Sequence, residues 1–254
     1  MANTSATKGG RYQYRTLAQN LARSIYYWLC YVKNSTDSNV LLESSVRFPL
    51  VEYLERREGI TSVCLEKKIK GYSHRAFDFY FEKRDKTTDK VTGKTKEITR
   101  ARFYVEIKFV SIDTGDATIR QRVFDDLSRL RYYAKKDTFC YFIMCGPTVM
   151  FRTSFQSVAP KVERGEFPQY KIGEEPTLYT SVYNDWFSFS ISEPEKSIDI
   201  TDIKHRKYSK HFDKDYKKGK LKSLSFISRL IQIFPNGNDV ESPQSVGIWQ
   251  ISEP

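Results

Sequence analysis

The sequence predicts an α/β fold in which a mixed sheet of about four to five strands is flanked by helices and followed by C-terminal additions. Three observations predict this fold. Apolar residues recur every three to four positions over 14–34 and 119–134, as in amphipathic helices. Apolar and polar residues alternate over 76–82 and 102–110, as in half-buried strands. The segment 138–144 is almost wholly apolar, as in a strand buried on both faces.

The chain begins with a polar segment and two helical patterns. We expect residues 1–13 to form a flexible N-terminus, followed by a core-packing helix over 14–34. A second periodic stretch continues to Arg57 and contains Pro49. Because proline removes a helical hydrogen bond, this stretch is either one kinked helix or two pieces joined near Phe48.

Three strands are predicted next, over 60–65, 76–82 and 102–110. In the second, the alternation predicts Phe77, Phe79 and Phe81 on one face. In the third, Glu106 and Lys108 share the polar face. Between these two strands, Lys83 to Arg100 carries seven basic and three acidic residues and is expected to form a long hairpin turn.

A long helix and an apolar strand complete the first part of the chain. We expect Asp113 or Asp116 to cap the helix, which keeps its apolar spacing to Ala134. The apolar strand ends at Gly146-Pro147. The predicted order over 35–146 is therefore helix, three strands, helix and strand, within a core of residues 14–150.

The region 151–254 is predicted to be a C-terminal extension that packs on this core. Within or next to it we expect continued strand structure over 148–155, a loop over 161–176 and a strand over 186–191. The segment 221–234 has the spacing of an amphipathic helix that Pro235 ends, and the tail from Asn236 is turn-rich and expected to be loosely held.

The charge is strongly basic and uneven. The net charge is +11, and the segment 204–222 contains eight lysines and Arg206 against Asp213 and Asp215. A polyanion such as nucleic acid is the partner that this surplus favours. The segment is either a binding surface or a solvated loop. We expect these of its residues to contact nucleic acid: Lys204, Arg206, Lys207, Lys210, Lys217 and Lys218.

Several classes of protein are excluded by composition. No run approaches the roughly 18 apolar residues of a membrane span, and the N-terminus has no apolar signal region, so we expect a cytoplasmic protein without membrane contact. Its four cysteines form no CxxC pair, and its three histidines lack zinc-ligand spacing. Reduced core thiols and no zinc site are therefore expected.

The two paired strands bring acidic residues together. Hairpin pairing can set Asp78 beside Glu106 and Lys108. Magnesium takes one or two protein carboxylates and completes its coordination with water and substrate phosphate. A lysine beside the attacking water can orient it or stabilise the developing charge. The pattern predicts a Mg²⁺ or Mn²⁺ site that hydrolyses phosphodiester bonds.

In its acids, its Glu106-Ile107-Lys108 motif and its order of elements, the segment 35–146 resembles the PD-(D/E)XK nucleases, a superfamily of restriction and repair enzymes. The resemblance implies a restriction-endonuclease-like core in which Asp78 and Glu106 bind the metal ion and Lys108 assists the nucleophile. It implies that Glu43, on the first core helix, completes the metal site, and that a homodimer or a partner subunit provides a second site for duplex cleavage.

The second core helix adds further candidates. The resemblance places a polar assisting residue there, for which Gln121 is the candidate, and Arg120 and Arg129 are expected to contact nucleic acid. Phe77 stands where the family has a proline, which makes the motif less specific. Two other readings stay open: a catalytically inactive nucleic-acid-binding module that retains the fold, and a basic protein whose segment 204–222 contacts an acidic partner.

Overall fold

A computed structural model describes residues 14–35, 43–57, 59–69, 72–89, 91–110, 114, 117–156, 183–199, 225–235 and 242–254. The helices are α1 (Arg15–Ser35), a 3-10 turn (Glu43–Val46), α2 (Arg47–Glu55), α3 (Ala117–Tyr133), α4 (Thr148–Met150), a π turn (Phe151–Phe155) and α5 (Tyr183–Trp186). The strands are β1 (Ile60–Ile69), β2 (Tyr72–Thr88), β3 (Thr95–Phe109), β4 (Thr138–Pro147), β5 (Glu195–Asp199), β6 (Ser225–Phe234) and β7 (Gln244–Ser252).

The strands form one mixed sheet in the order β1-β2-β3-β4-β7-β6-β5. Only β3 and β4 run parallel among the described pairs, and α3 is the crossover between them. The α/β class, the mixed sheet with flanking helices and the order helix, three strands, helix, strand are confirmed. The sheet has seven strands, so the expected four to five was too few.

The sheet separates two hydrophobic cores. The α1 core joins α1 and α2 to one face through Leu21, Ile25 and Leu50, and the α3 core joins α3 and α5 to the other through Leu127 and Trp186. Strand β4 supplies both cores in strict alternation: Cys140, Phe142 and Met144 to the α3 core, and Tyr141, Ile143 and Cys145 to the α1 core. Its burial on both faces is therefore confirmed.

Strand β3 alternates as expected, but β2 does not. Phe103 and Val105 enter the α1 core, as do Phe79 and Phe81. Phe77 instead packs against Tyr104 and Tyr133 in the α3 core. The prediction of one shared face for the three phenylalanines was wrong: β2 pairs with β3 only from Phe79 onward, and Phe77 lies before that point.

Pro49 lies in the first turn of α2, where a missing N–H costs no helical hydrogen bond. The second periodic stretch is therefore two pieces, a 3-10 turn and α2, and they meet between Val46 and Arg47. This boundary makes Arg47 the first residue of α2.

Several predictions for the C-terminal region were wrong. Residues 148–155 are helical rather than extended, and Trp186 ends α5 instead of beginning a strand. Residues 225–234 form β6 rather than a helix, because a register shift between Leu230 and Gln232 moves apolar residues to both faces and imitates helical spacing. The tail forms β7, where Trp249 is fully buried.

Some expected features fall outside the described residues: the N-terminus 1–13, the caps Asp113 and Asp116, the loop 161–176 and the basic segment 204–222. No described helix is long and apolar enough to cross a membrane. The cysteines Cys30, Cys64, Cys140 and Cys145 are all free thiols.

Candidate active site

The predicted acids lie where β2 and β3 separate. The antiparallel partners of these strands begin at Phe79 and Val105, and Asp78 and Glu106 stand one residue beyond that pair. Here a hydrogen bond to a side chain replaces the pairing between the two backbones: the backbone N–H of Ile107 donates to Asp78 Oδ2 at 2.8 Å. The carboxylate of Asp78 is thereby held against β3.

Arg47 engages the other oxygen of the same carboxylate. Its Nη2 donates to Asp78 Oδ1 at 2.8 Å, and its Nη1 donates to Glu66 on β1 at 2.9 Å. The start of α2 fixes the arginine over the edge of the sheet. Asp78 is therefore oriented by two donors from two different elements.

Glu106 projects from β3 toward α3 and is almost fully buried, with 1% of its surface exposed. Arg129 Nη2 donates to its Oε1 at 2.8 Å and also contacts Asp126, one turn earlier on α3. The guanidinium carbon of Arg129 lies 6.0 Å from the ring centre of Phe77. One arginine thus joins two buried carboxylates.

Lys108 reaches the same group from two residues further along β3. Its Nζ lies 3.2 Å from Asp126 Oδ2, and a quarter of its side chain is exposed. We call the six residues the charged cluster: Asp78, Glu106, Asp126, Arg47, Lys108 and Arg129. The six side chains lie between β2, β3 and the two helices in two groups: Arg47 pairs with Asp78, and Glu106, Arg129, Asp126 and Lys108 form a chain of ion pairs.

The electrostatics of the cluster are set by burial. Loss of solvent raises the pKa of Glu106 well above its ordinary value of 4.5, and the charge of Asp126 raises it further, while Arg129 opposes the shift. Burial likewise raises the pKa of Asp126, against the pull of Lys108 and Arg129. The site disfavours full ionisation of both acids, so additional positive charge would be stabilised there.

The donor set fits a divalent cation in its chemistry. Magnesium needs only one or two protein carboxylates, and Asp78 and Glu106 supply two. Within the described ranges, no three histidine, cysteine or acidic side chains stand together as a ready set of metal ligands. Since Arg47 and Arg129 already bond these carboxylates, an ion would replace arginine contacts.

Three predicted residues, Asp78, Glu106 and Lys108, come together in the cluster. Glu43 begins the 3-10 turn one turn before Arg47, but its side chain lies outside what the structure describes. The lysines and the arginine predicted over 204–222 also fall outside the described residues.

The candidates on α3 take different positions. Gln121 donates to Asp125 one turn further along the helix, at 3.1 Å, a bond outside the charged cluster. Arg120 is half-buried on the same helix. Arg129 lies inside the cluster as a partner of Glu106, rather than on an open surface.

Sequence reasoning missed Asp126 as a member of the cluster and Arg47 as a partner of Asp78. A signal for Asp126 was present: it stands three residues after Val123 and four before Leu130, inside the apolar stripe of α3. An acid at such a position must be paired when the helix packs. No comparable periodic signal marks Arg47.

Comparisons with protein-family models, with curated proteins and with solved structures gave no match. The likeness to PD-(D/E)XK nucleases therefore rests on this chain's own residues and order of elements. The geometry of the charged cluster carries the functional argument.

Proposed function

We propose that the protein is a divalent-metal-dependent nuclease that hydrolyses phosphodiester bonds, most specifically a DNA endonuclease of restriction or defence against foreign DNA. One observation carries the proposal: the burial of Glu106 with Asp126 where Asp78 and Lys108 converge. Buried ion networks seldom stabilise a fold more than apolar packing does. A costly cluster of groups with shifted pKa values is typical of a functional site.

The residues have distinct roles in this proposal. Asp78 and Glu106 hold Mg²⁺ or Mn²⁺, with Glu43 as the third ligand that the resemblance implies. When bound, such an ion polarises the scissile phosphate and lowers the pKa of a water molecule. Lys108, whose side chain is a quarter exposed, orients the attacking water and offsets charge on the phosphate.

The arginines extend the site toward substrate. A guanidinium recognises phosphate through two parallel hydrogen bonds. Arg47 and Arg129 each bond a carboxylate that the metal ion would take over, so the N–H groups now directed at Asp78 and Glu106 would turn to a phosphate group, while Glu66 and Asp126 keep the two arginines in place. Metal binding and substrate binding would therefore support one another.

A second candidate function is a nucleic-acid-binding module without catalysis. The arginine contacts favour it, because Arg47 and Arg129 neutralise Asp78 and Glu106 within the protein itself. In that case the cluster holds β2, β3 and α3 together, and no ion enters it.

Cleavage assays separate the two candidates. We expect the protein to cut DNA with Mg²⁺ or Mn²⁺ and to stop in chelator. Asp78→Asn, Glu106→Gln and Lys108→Ala each should abolish cutting while folding persists. The control Glu55→Gln changes an exposed carboxylate on α2 and should cut normally.

Two results would decide against this proposal. Undiminished cutting by all three site variants would place the activity elsewhere. No cutting of single-stranded DNA, duplex DNA or RNA by a folded protein that still binds them would favour the binding module.

The free thiols agree with a reducing compartment, and we place the activity in the cytoplasm. A homodimer or a partner subunit would supply the second site needed to cut both strands. A mass measurement in solution tests that part of the proposal.

A further inference from the structure

Strands β2 and β3 extend beyond their neighbours. The pairing of β1 with β2 ends at Ile60 and Lys83, and that of β4 with β3 begins at Arg102 and Thr138. The β2–β3 pairing continues outward for five further pairs, from Arg84–Thr99 to Thr88–Thr95. We call residues 84–100 the ribbon. Within the described strands, no third strand pairs with it.

The tip of the ribbon is a turn held by side-chain hydrogen bonds. Asp89 Oδ1 accepts hydrogen bonds from the backbone N–H groups of Val91 at 2.8 Å and Thr92 at 3.1 Å. Gly93 adopts the left-handed conformation at φ +67°. Val91 is 94% exposed, so the turn stands clear of the described part of the protein.

The acidic residues of the ribbon are engaged internally. Asp85 pairs with Arg100 at 2.7 Å, and Glu97 pairs with Arg84 at 3.6 Å. The third acid, Asp89, serves the turn. The ribbon therefore offers no unengaged carboxylate along its described length.

The lysines of the ribbon have the opposite character. Lys86, Lys94 and Lys96 are exposed, and no ion pair among the described residues involves them. Exposed threonines accompany them, such as Thr88 and Thr95. A projecting surface of unneutralised cations and hydroxyl groups suits phosphates and the polar edges of bases.

The dimensions of the ribbon select among nucleic acids. Two strands lie about 5 Å apart, and five pairs extend roughly 17 Å. The major groove of B-form DNA is about 12 Å wide and admits a two-stranded ribbon. The major groove of duplex RNA is deep and narrow, and side chains do not read it.

We propose that the ribbon enters the major groove of B-form duplex DNA, with Lys86, Lys94 and Lys96 on the flanking phosphates. The choice of nucleic acid as the partner rests on the proposed nuclease function. The dimensions of the ribbon indicate duplex DNA as the substrate. The ribbon is also a binding surface separate from the charged cluster.

The length of β2 also relates the ribbon to the cluster. From Asp78 to Thr88 the strand spans ten residues, or about 33 Å when extended. One turn of B-form DNA advances about 34 Å. If a DNA duplex lay along β2 with one phosphate at the charged cluster, the ribbon would meet the duplex about one helical turn away from that phosphate.

Direct binding tests the ribbon without cleavage. The probe is a duplex of roughly 30 base pairs, about three turns, titrated with protein in chelator and followed by fluorescence anisotropy. The test variant is K86Q/K94Q/K96Q. The control K135Q/K136Q/K196Q removes three exposed lysines from the α3–β4 turn and from β5, so both variants lose the same charge.

We expect the control to bind like wild type and the ribbon variant to bind roughly 10- to 100-fold more weakly. Its slope of log affinity against log salt should fall by about 2 to 3, since each lost phosphate contact removes about 0.9. Methyl green, a major-groove ligand, should compete with the protein, and the minor-groove ligand netropsin should not. Thermal unfolding should be the same for all three proteins.

Three results would overturn the proposal: an equal loss of DNA affinity in the ribbon variant and the control, unchanged DNA affinity of the ribbon variant, or an RNA duplex bound as tightly as DNA through the same lysines. Failure of the nuclease proposal looks different. Ribbon-dependent duplex binding without cleavage under any metal condition supports the ribbon and contradicts the nuclease. Metal-dependent cleavage by a protein whose DNA binding does not depend on the ribbon lysines supports the nuclease and contradicts the ribbon.

Discussion

Arg129 joins two buried carboxylates, so its loss should destabilise the protein. In Arg129→Met the Glu106 and Asp126 side chains, 2% and 7% exposed, lose the cation that they share. Lys108 still reaches Asp126, but from a partly exposed position. Removing one partner of a buried ion pair typically costs about 3 to 5 kcal/mol. Methionine keeps the packing on Phe77, so the loss measures charge rather than a cavity.

The cost should depend on pH. Each buried acid can escape the penalty by taking a proton, and burial already raises the pKa of Glu106. The destabilisation of Arg129→Met should therefore be smallest in acid and grow as the pH rises. At neutral pH it corresponds to a fall in Tm of about 6 to 20 °C for a chain of this size.

Urea unfolding in chelator, repeated across pH, measures this effect. The control is Arg56→Met, since the Arg56 side chain is 77% exposed and its partner Glu52 lies one turn earlier on α2. Its change should stay within about 0.5 kcal/mol. A loss below about 1 kcal/mol in Arg129→Met, or a loss that does not vary with pH, would refute the view that the arginine neutralises buried charge.

Two further predictions concern stability. The folded-state pKa of Glu106 lies above its ordinary 4.5, so the stability it contributes is complete below pH 4.5 and is lost as pH rises through the folded value. Between pH 4.5 and the folded-state pKa, the free energy of unfolding of Glu106→Gln should rise relative to that of wild type by up to about 1.4 kcal/mol for each pH unit. A difference in urea unfolding that does not change with pH would contradict this. Gly146→Ala should cost about 1 to 3 kcal/mol, because the new Cβ would stand 2.6 Å from Val110 Cγ1 at a backbone φ of +146°. A thermal midpoint equal to that of wild type would show that β4 shifts to accommodate it.

The sequence predicts the parts of this fold that depend on local periodicity. The alternation of β3 correctly places Val105 and Ile107 in one core and Glu106 and Lys108 toward the other, because a strand repeats every two residues whatever surrounds it. The apolar run of β4 likewise predicts burial on both faces. Asp78 joins this site through the expected antiparallel hairpin, but the turn expected over 83–100 was too long, because the two strands stay paired as far as Thr88 and Thr95.

What the sequence could not predict depends on distant contacts. The bond from Arg47 to Asp78 links residues 31 positions apart, and it requires α2 to lie over the edge of β1. Strand β6 imitates a helix because a register shift moves its apolar side chains to both faces. Strand β7 follows a segment rich in turn-forming residues, so its place inside the sheet follows only from its pairing with β4 and β6.

The position of β7 also has a consequence for synthesis. Strand β4 finds its antiparallel partner only after about 100 further residues have left the ribosome, a delay of roughly 5 to 20 seconds. During that interval β4 is an unpaired apolar edge that can recruit strands from other nascent chains. Protection of this edge by a chaperone, rather than the formation of the charged cluster between β2, β3 and α3, would then govern how much protein reaches the native state.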